Sequence, residues 1–279
     1  MKFFAIGLLL FATNCFSQSH TLYNYNKYEL ESANNHLEVR SIASVTKLFT
    51  AAAIIEKRLD LDQPVQVRTS NRTRFPKGAM IPRIDLMKAM LISSDNGAAD
   101  SLAHSFPGGY IEFLNFVEIM INSKGLASTS IVDASGLNAG NVSTADDLAL
   151  FIWTLRDNET IKNLSSKATD TIEFEQEKTV YLTDPKKKKS KKSKKAKRKN
   201  EDVYIKETSI KRSIVKLRNT NPGITKYNIL ISKTGYTSRA KRCLVLLVEY
   251  KSQLYGITIL GESDPKSVAE RVEELLDKI

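Results

Sequence analysis

The chain has 279 residues, 42% hydrophobic and 26% charged, enough apolar material for one large or two modest globular domains. Its net charge of +11 is local: the run 186–199, opening on Lys186 and closing on Lys199, carries eleven basic residues and no acid, so the rest of the chain is close to neutral. This argues against a basic nucleic-acid-binding fold; two cysteines give no disulfide framework, and three scattered histidines (His20, His36, His104) lack metal-ligand spacing.

Residues 1–17 read as a secretory signal: Met1 and Lys2, an apolar run over 3–12, and an exit ending at Ser17. The run is too short to span a bilayer. Asn14 stands where a lipid-modified Cys15 would need a small residue, so cleavage after Ser17 is the expectation. The mature chain, 18–279, is then exported, periplasmic or associated with the cell envelope, without a transmembrane anchor. Only Cys243 remains, in the apolar segment CLVLLVEY, and it reads as a packed core thiol.

Residues 21–30 alternate as a strand should, and 32–35 read as a turn. A helix follows over 43–55, almost entirely apolar or small and therefore interior. Residues 60–67 are strand-like, but Pro64 denies them a central place in a sheet, and 69–82 read as a loop. Helices are predicted over 84–92, 97–104 and 110–122, the last with Phe113, Phe116, Val117 and Met120 on its core face. Residues 133–141 have turn chemistry, and Ser143 is expected to cap a helix over 145–156.

Beyond residue 163 the pattern changes to strands, over 168–182 and 203–217 on either side of the lysine run. Residues 227–232, 242–250 and 253–260 read as an antiparallel meander. Asp264 and Pro265 open a final helix with Val268, Val272, Leu275 and Ile279 on its packed face. The expected fold is α+β, a single domain. An antiparallel sheet flanked by helices is built from 18–59 and 164–279, an all-helical lobe is inserted over about 60–163, and a lysine-rich loop lies at 184–202.

Chemistry enters through the interior helix. Ser44 and Lys47, three residues apart, share one helical face. A lysine among apolar side chains tends toward its neutral form, and a neutral amine beside a hydroxyl is a base beside a nucleophile. By itself the pair could be a capping serine and a snorkelling lysine. Two further patterns matter: Ser94-Asp95-Asn96 at a junction between helices, and Lys233-Thr234-Gly235 at the end of an apolar strand, followed by Tyr236 and Thr237. Each alone could be a helix cap or a turn.

Together, S-x-x-K, S-D-N and K-T-G in this order form the set shared by penicillin-binding proteins and class A β-lactamases. With the phrases IASVTKLFTA, LISSDNGAADSLA, DASGLNAGNVSTADDLA and ISKTGYTS, the sequence resembles the low-molecular-mass penicillin-binding proteins, the serine D-Ala-D-Ala carboxypeptidase and endopeptidase family, over about 41–260. The resemblance implies a β-lactamase/DD-peptidase-like fold and a Ser44 acyl-enzyme, with Lys47 as base and Ser94 relaying a proton to the leaving amine. It implies substrate contacts from Asn96, Lys233, Thr234, Gly235 and Thr237, and an oxyanion hole from the backbone N–H groups of Ser44 and Tyr236. Peptidoglycan stem peptides and β-lactams would be the ligands, with no cofactor and no metal.

The chain ends one helix after the meander, so the separate β-domain and membrane-surface helix of many carboxypeptidases in this family are not expected, a compactness closer to the endopeptidases. Two alternatives stand beside the peptidase reading. A β-lactamase needs a carboxylate to activate the deacylating water, for which Glu112, with Asn115, is the nearest and a poorly spaced candidate. A catalytically inactive peptidoglycan-binding protein would keep the fold without turnover. The lysine run reads as a solvated loop or as an electrostatic tether to anionic envelope polymers or lipid headgroups; with an export signal, no nucleic-acid partner is expected.

Overall fold

The computed structural model describes residues 18–68, 72–183 and 204–279. The signal segment and the lysine run therefore lie outside the described residues. The first hairpin pairs β1 (Ser19–Asn24) with β2 (Glu29–Asn34). The expected single strand over 21–30 is thus split, and the expected turn over 32–35 mostly belongs to β2. The cause is Asn24, whose side-chain oxygen accepts from the N–H groups of Asn26 at 3.1 Å and Lys27 at 3.2 Å and turns the chain locally.

After β3 (Arg40–Ser41), a 3-10 turn at Ala43–Val45 leads into α1 (Thr46–Glu56), which is buried from Thr46 to Ile54. The short β4 (Pro64–Gln66) pairs only with β5 (Met80–Pro82), as a proline-bearing strand should, and β5 lies inside the segment expected to be loop. Then come α2 (Arg83–Ile92), α3 (Asn96–His104), α4 (Gly109–Ser123), β6 (Val142–Ser143), α5 (Ala145–Thr154) and α6 (Glu159–Ser165). On α4, Phe113, Val117 and Met120 are buried. The cap of α5 is Thr144, whose hydroxyl accepts from Asp147 N–H at 3.0 Å; the expected cap, Ser143, sits in β6 and shares a hydrogen bond with Thr129 at 2.7 Å. The sequence reading missed α6, a seven-residue helix capped by Asn158.

The strands flanking the lysine run, β7 (Thr169–Thr183) and β8 (Tyr204–Arg218), form a two-stranded antiparallel ribbon of their own. At ~3.3 Å per residue it is roughly 50 Å long. Its base packs on α2 through the buried Ile172, Phe174 and Leu217. The meander, β9 (Asn228–Thr237), β10 (Lys241–Tyr250) and β11 (Gln253–Glu262), joins the first hairpin in a five-stranded antiparallel sheet of order β2-β1-β11-β10-β9. The Lys233-Thr234-Gly235 segment accordingly lies within β9, not at a strand end.

One sheet face packs on α1 and α5, where Phe49 and Phe151 stack with ring centroids 3.8 Å apart. The opposite face is covered by α7 (Pro265–Leu276), capped by Asp264 and seated through Val272, Leu275 and Leu276. As the edge strand, β9 runs between the helical region and the sheet.

Candidate active site

Ser44 is the middle residue of the 3-10 turn that starts α1, so its backbone N–H belongs to the unpaired first turn of a helix. Ala43 before it has φ of 47°, an unusual conformation for a residue other than glycine, at the point where Gly136 and Gly235 come close to the turn. Lys47 follows one turn later with no exposed surface. Its Nζ lies 2.9 Å from Ser44 Oγ and donates to Asn96 Oδ1 at 2.7 Å and to the Ser135 carbonyl at 2.5 Å. Burial lowers its pKa to about 7, against a smaller opposing pull from Asp133 and Asp95. A neutral amine has two N–H groups and one lone pair. Two pure acceptors engage the N–H groups, which leaves the lone pair for the Ser44 hydroxyl.

Ser94 occupies the turn between α2 and α3 with φ of 57°. Two anchors hold it there. Ser93 Oγ both accepts from Arg218 N–H and donates to the Arg218 carbonyl, each at 3.0 Å, tying the base of the β7–β8 ribbon to this turn. Asp95 caps α3 by accepting from Ala98 N–H at 2.8 Å, and its other oxygen accepts from Arg74 N–H at 2.8 Å. Asn96 is then the first residue of α3 and faces Lys47.

Lys233 reaches in from β9, donating to Ser94 Oγ at 3.1 Å and to the Thr234 carbonyl at 2.8 Å. Its pKa lies well below the usual lysine value, first through complete burial and then through repulsion from Lys47. The three motifs are therefore brought together: Ser94 joins Lys233, Asn96 joins Lys47, and Lys47 faces Ser44. Gly235 lets β9 approach the 3-10 turn. Tyr236 is 58% exposed, with the Arg242 guanidinium 4.9 Å from its ring centre.

Ser44, Ser94, Asn96, Thr234, Gly235 and Tyr236 line one cleft of about 540 Å³. Thr237 is not among its lining residues; its Oγ1 accepts from Ala240 N–H at 3.0 Å and closes the β9–β10 turn. Three contributors escaped the sequence reading. The Ser135 carbonyl is held by a loop in which the Asp133 carboxylate accepts from the N–H groups of Ser135 at 2.7 Å and of Gly136 and Asn138 at 2.5 Å. Thr220 shares a hydrogen bond of 2.5 Å with Thr234 across the cleft wall. Arg242 adds a cation at the rim. Their signals in the sequence were the 133–141 turn chemistry, the Asn219-Thr220-Asn221 triplet ahead of Lys233 and the basic stretch 239–242.

The alternative carboxylate, Glu112, lies on α4, accepts from Asn115 Nδ2 at 3.2 Å and does not line the cleft. Among the described lining residues the only acid is Glu273 of α7. Among the described residues no cluster of His, Cys, Asp or Glu could hold a metal ion, and no helix is long and apolar enough to cross a membrane. Cys243 is a buried free thiol, its pKa pushed up to about 12 by burial.

Comparison with known proteins adds a family and a fold. A model of the D-alanyl-D-alanine carboxypeptidase family matches residues 12–195. The chain is 29% identical over 237 residues to a D-alanyl-D-alanine endopeptidase of Escherichia coli, covering 81% of this chain and 66% of the relative. It is 30% identical over 240 residues to one of Pseudomonas aeruginosa, covering 83% of this chain and 66% of the relative. The chain thus spans 66% of the length of each of these relatives. The fold is shared with a DD-transpeptidase of Streptomyces (18% identity, TM-score 0.72, 93% of this chain and 95% of that one). It is also shared with a penicillin-binding protein of Listeria monocytogenes in its ampicillin-bound form (21% identity, TM-score 0.68, 93% of this chain and 96% of that one).

Proposed function

The chain belongs to the D-alanyl-D-alanine carboxypeptidase family, and from that premise we propose that it is a serine-type D-alanyl-D-alanine peptidase. It acts on peptidoglycan stem peptides through a Ser44 acyl-enzyme and is acylated by β-lactams. The observation that carries this reading is the 2.9 Å contact between Ser44 Oγ and a Lys47 amine whose pKa is lowered to about 7.

Lys47 takes the Ser44 proton as Oγ attacks the carbonyl between two D-alanines. The oxyanion forms against the N–H groups of Ser44 and Tyr236, and removing one such donor typically costs about 3 kcal/mol of transition-state stabilisation. On collapse, the C–N bond breaks and Ser94, in contact with Lys233, relays to the departing amine the proton that Lys47 took from Ser44. Water then hydrolyses the ester and restores Ser44. Asn96 holds the acyl-donor amide. Lys233 and Thr234 hold the carboxylate, and the substrate lies along the β9 edge beside Gly235 as an added strand. Glu112 lies outside the cleft lining, and the only acid among the described lining residues is Glu273 of α7, which supports a peptidase over a class A-like β-lactamase. The complete set of motif side chains supports turnover over an inert binding protein.

The test is digestion of purified peptidoglycan by the wild-type protein and Ser44→Ala, with mass spectrometry after ampicillin exposure. Loss of terminal D-alanine or dimer-to-monomer conversion by wild type alone, with a covalent adduct on Ser44, is the expected result. No adduct and no product would sink the reading.

The signal-like 1–17 and the substrate support an exported, periplasmic or envelope-associated location. The basic run 186–199 joins the ends of the β7–β8 ribbon, where Thr183 pairs with Tyr204. We infer that it tethers the enzyme to anionic envelope polymers or phospholipid headgroups, at about 1 kcal/mol per lysine near a charged surface. A deletion of 186–199 that left salt-sensitive envelope binding intact would remove this part of the reading.

A further inference from the structure

Lys47 is aimed at Ser44 by its two other contacts, and one of these is a main-chain oxygen. The Ser135 carbonyl that accepts from Lys47 Nζ at 2.5 Å belongs to the same peptide group as the Gly136 N–H, which donates to the Asp133 carboxylate at 2.5 Å. A trans peptide is planar, with its C=O and N–H pointing in opposite directions, so a hold on one end fixes the aim of the other. Asp133 and Lys47 therefore stand at the two ends of one peptide group. That group has little room to turn: a Cβ on Gly136, whose φ is 81°, would fall 1.9 Å from the Ala43 carbonyl oxygen.

The contacts around Asp133 require a carboxylate. One oxygen accepts from the N–H groups of Ser135 and Gly136 and from Asn141 Nδ2 at 3.2 Å, and the other accepts from the Asn138 N–H. These partners are all donors, so an amide in its place would turn an NH2 group toward another N–H. The loop is fastened to α1 independently of Asp133. Thr50 Oγ1 donates to the Ala134 carbonyl at 2.7 Å, and the buried Asn141 donates to Thr46 Oγ1 at 3.1 Å. What Asp133 adds to a loop already anchored twice is the direction of the peptide group between Ser135 and Gly136.

We propose that Asp133 is a positioning residue for acylation: through that peptide group it keeps one Lys47 N–H on the Ser135 oxygen, so that, with Asn96 taking the other, the lone pair stays on the Ser44 hydroxyl. This rests on the serine-peptidase reading and deepens it by naming the residue that orients the base.

The charge of Asp133 supplies a readout that loop stiffness alone does not. The charged groups set against Lys47 are Asp133, Asp95 at the α3 cap and Lys233 of β9. Asp133 favours the ammonium form of Lys47, in opposition to burial. Removing that charge lets the amine lose its proton at lower pH.

The test is the rate of acylation by fluorescent penicillin across pH, measured on the mature protein and on Asp133→Asn, Asp133→Glu and Thr50→Val. Asp133→Asn is expected to lower the high-pH plateau at least about tenfold, part of the ~100-fold that a 1 Å misplacement costs, and to move the acid limb to lower pH. Asp133→Glu keeps the charge but not the fit, so its plateau is expected to fall with the limb in place. Thr50→Val loosens the same loop without touching the charge and is expected to leave the limb where it is. An unchanged plateau in Asp133→Asn, a limb in that variant that stays or rises, or a downward shift reproduced by Thr50→Val overturns the positioning role. If Asp133→Asn does not fold, Asp133→Glu decides, and a full plateau or a displaced limb there overturns it. A wild type that penicillin does not label overturns the peptidase reading itself, so the two failures are distinguishable.

Discussion

A Cβ placed on Gly235 would stand 3.0 Å from Ser44 N and 2.8 Å from the Ile42 carbonyl oxygen. Glycine is therefore required here by the closeness of β9 to the 3-10 turn, since no positive φ is involved. Both neighbours are backbone atoms, so a methyl group must push the strand and the nucleophile apart. For Gly235→Ala we expect penicillin acylation to fall about 100-fold, the usual result of misplacing a reacting group by ~1 Å. Stability should drop only about 1–3 kcal/mol, as for a local overpacking. Acylation kinetics beside denaturant unfolding check this, and near-normal acylation would show that the approach does not matter.

The second prediction concerns pH. Lys47 must be neutral to accept the Ser44 proton, and its pKa is lowered to about 7. The neutral fraction grows as pH rises, so acylation should be flat above about pH 7 and fall tenfold per unit below it. Stopped-flow acylation with a chromogenic cephalosporin from pH 5 to 9 measures the profile. An ordinary exposed lysine, with its pKa at 10.5, would instead give a rate still climbing at pH 9.

What could be read from the sequence follows a physical division. Ser44 and Lys47 were legible because a single helix fixes their spacing, and Ser94, Asn96 and Lys233 because each belongs to a compact pattern. The Ser135 carbonyl was not, since a main-chain oxygen leaves no residue-type signature and its position depends on a loop folded around Asp133. Thr220 meets Thr234 only after the chain has travelled around the ribbon base. In the fold, periodicity located α2, α3, α4 and the meander. It failed where one side chain redirects the backbone, as Asn24 does, or where a cap must be chosen between adjacent hydroxyls.

That last ambiguity gives a third prediction. Thr144 accepts the Asp147 N–H at 3.0 Å and is 2% exposed, whereas Ser143 caps nothing. Thr144→Ala should destabilise the protein by about 1 kcal/mol, within the range measured for cap removal, while Thr144→Ser, which keeps the acceptor, should cost less. Thermal denaturation of the two variants decides it, and equal losses would mean that packing of the threonine methyl matters and its capping oxygen does not.

The final prediction separates the catalytic use of Lys47 from its effect on stability. The amine titrates at about 7 when folded and 10.5 in its ordinary environment. Between those values the unfolded chain holds a proton that the folded chain has released. Stability from this group therefore rises with pH by about 1.4 kcal/mol per unit across the window and levels off outside it. Below pH 7 the folded protein carries the full penalty of a buried ammonium. Lys47→Met removes the titration but leaves Asn96 Oδ1 and the Ser135 carbonyl without their donor, a cost of about 1–3 kcal/mol for each group that water does not reach. The sign of the difference at one pH is thus set by two opposing effects, but its slope is set by one. Relative to wild type, Lys47→Met should be at its most favourable near pH 7 and should lose ground steadily up to pH 10, with acylation abolished throughout. Denaturant unfolding of both proteins at pH 7, 8, 9 and 10 gives the slope. A constant difference across that series would mean that Lys47 keeps its charge in the folded state, and the neutral-base mechanism would fall with it.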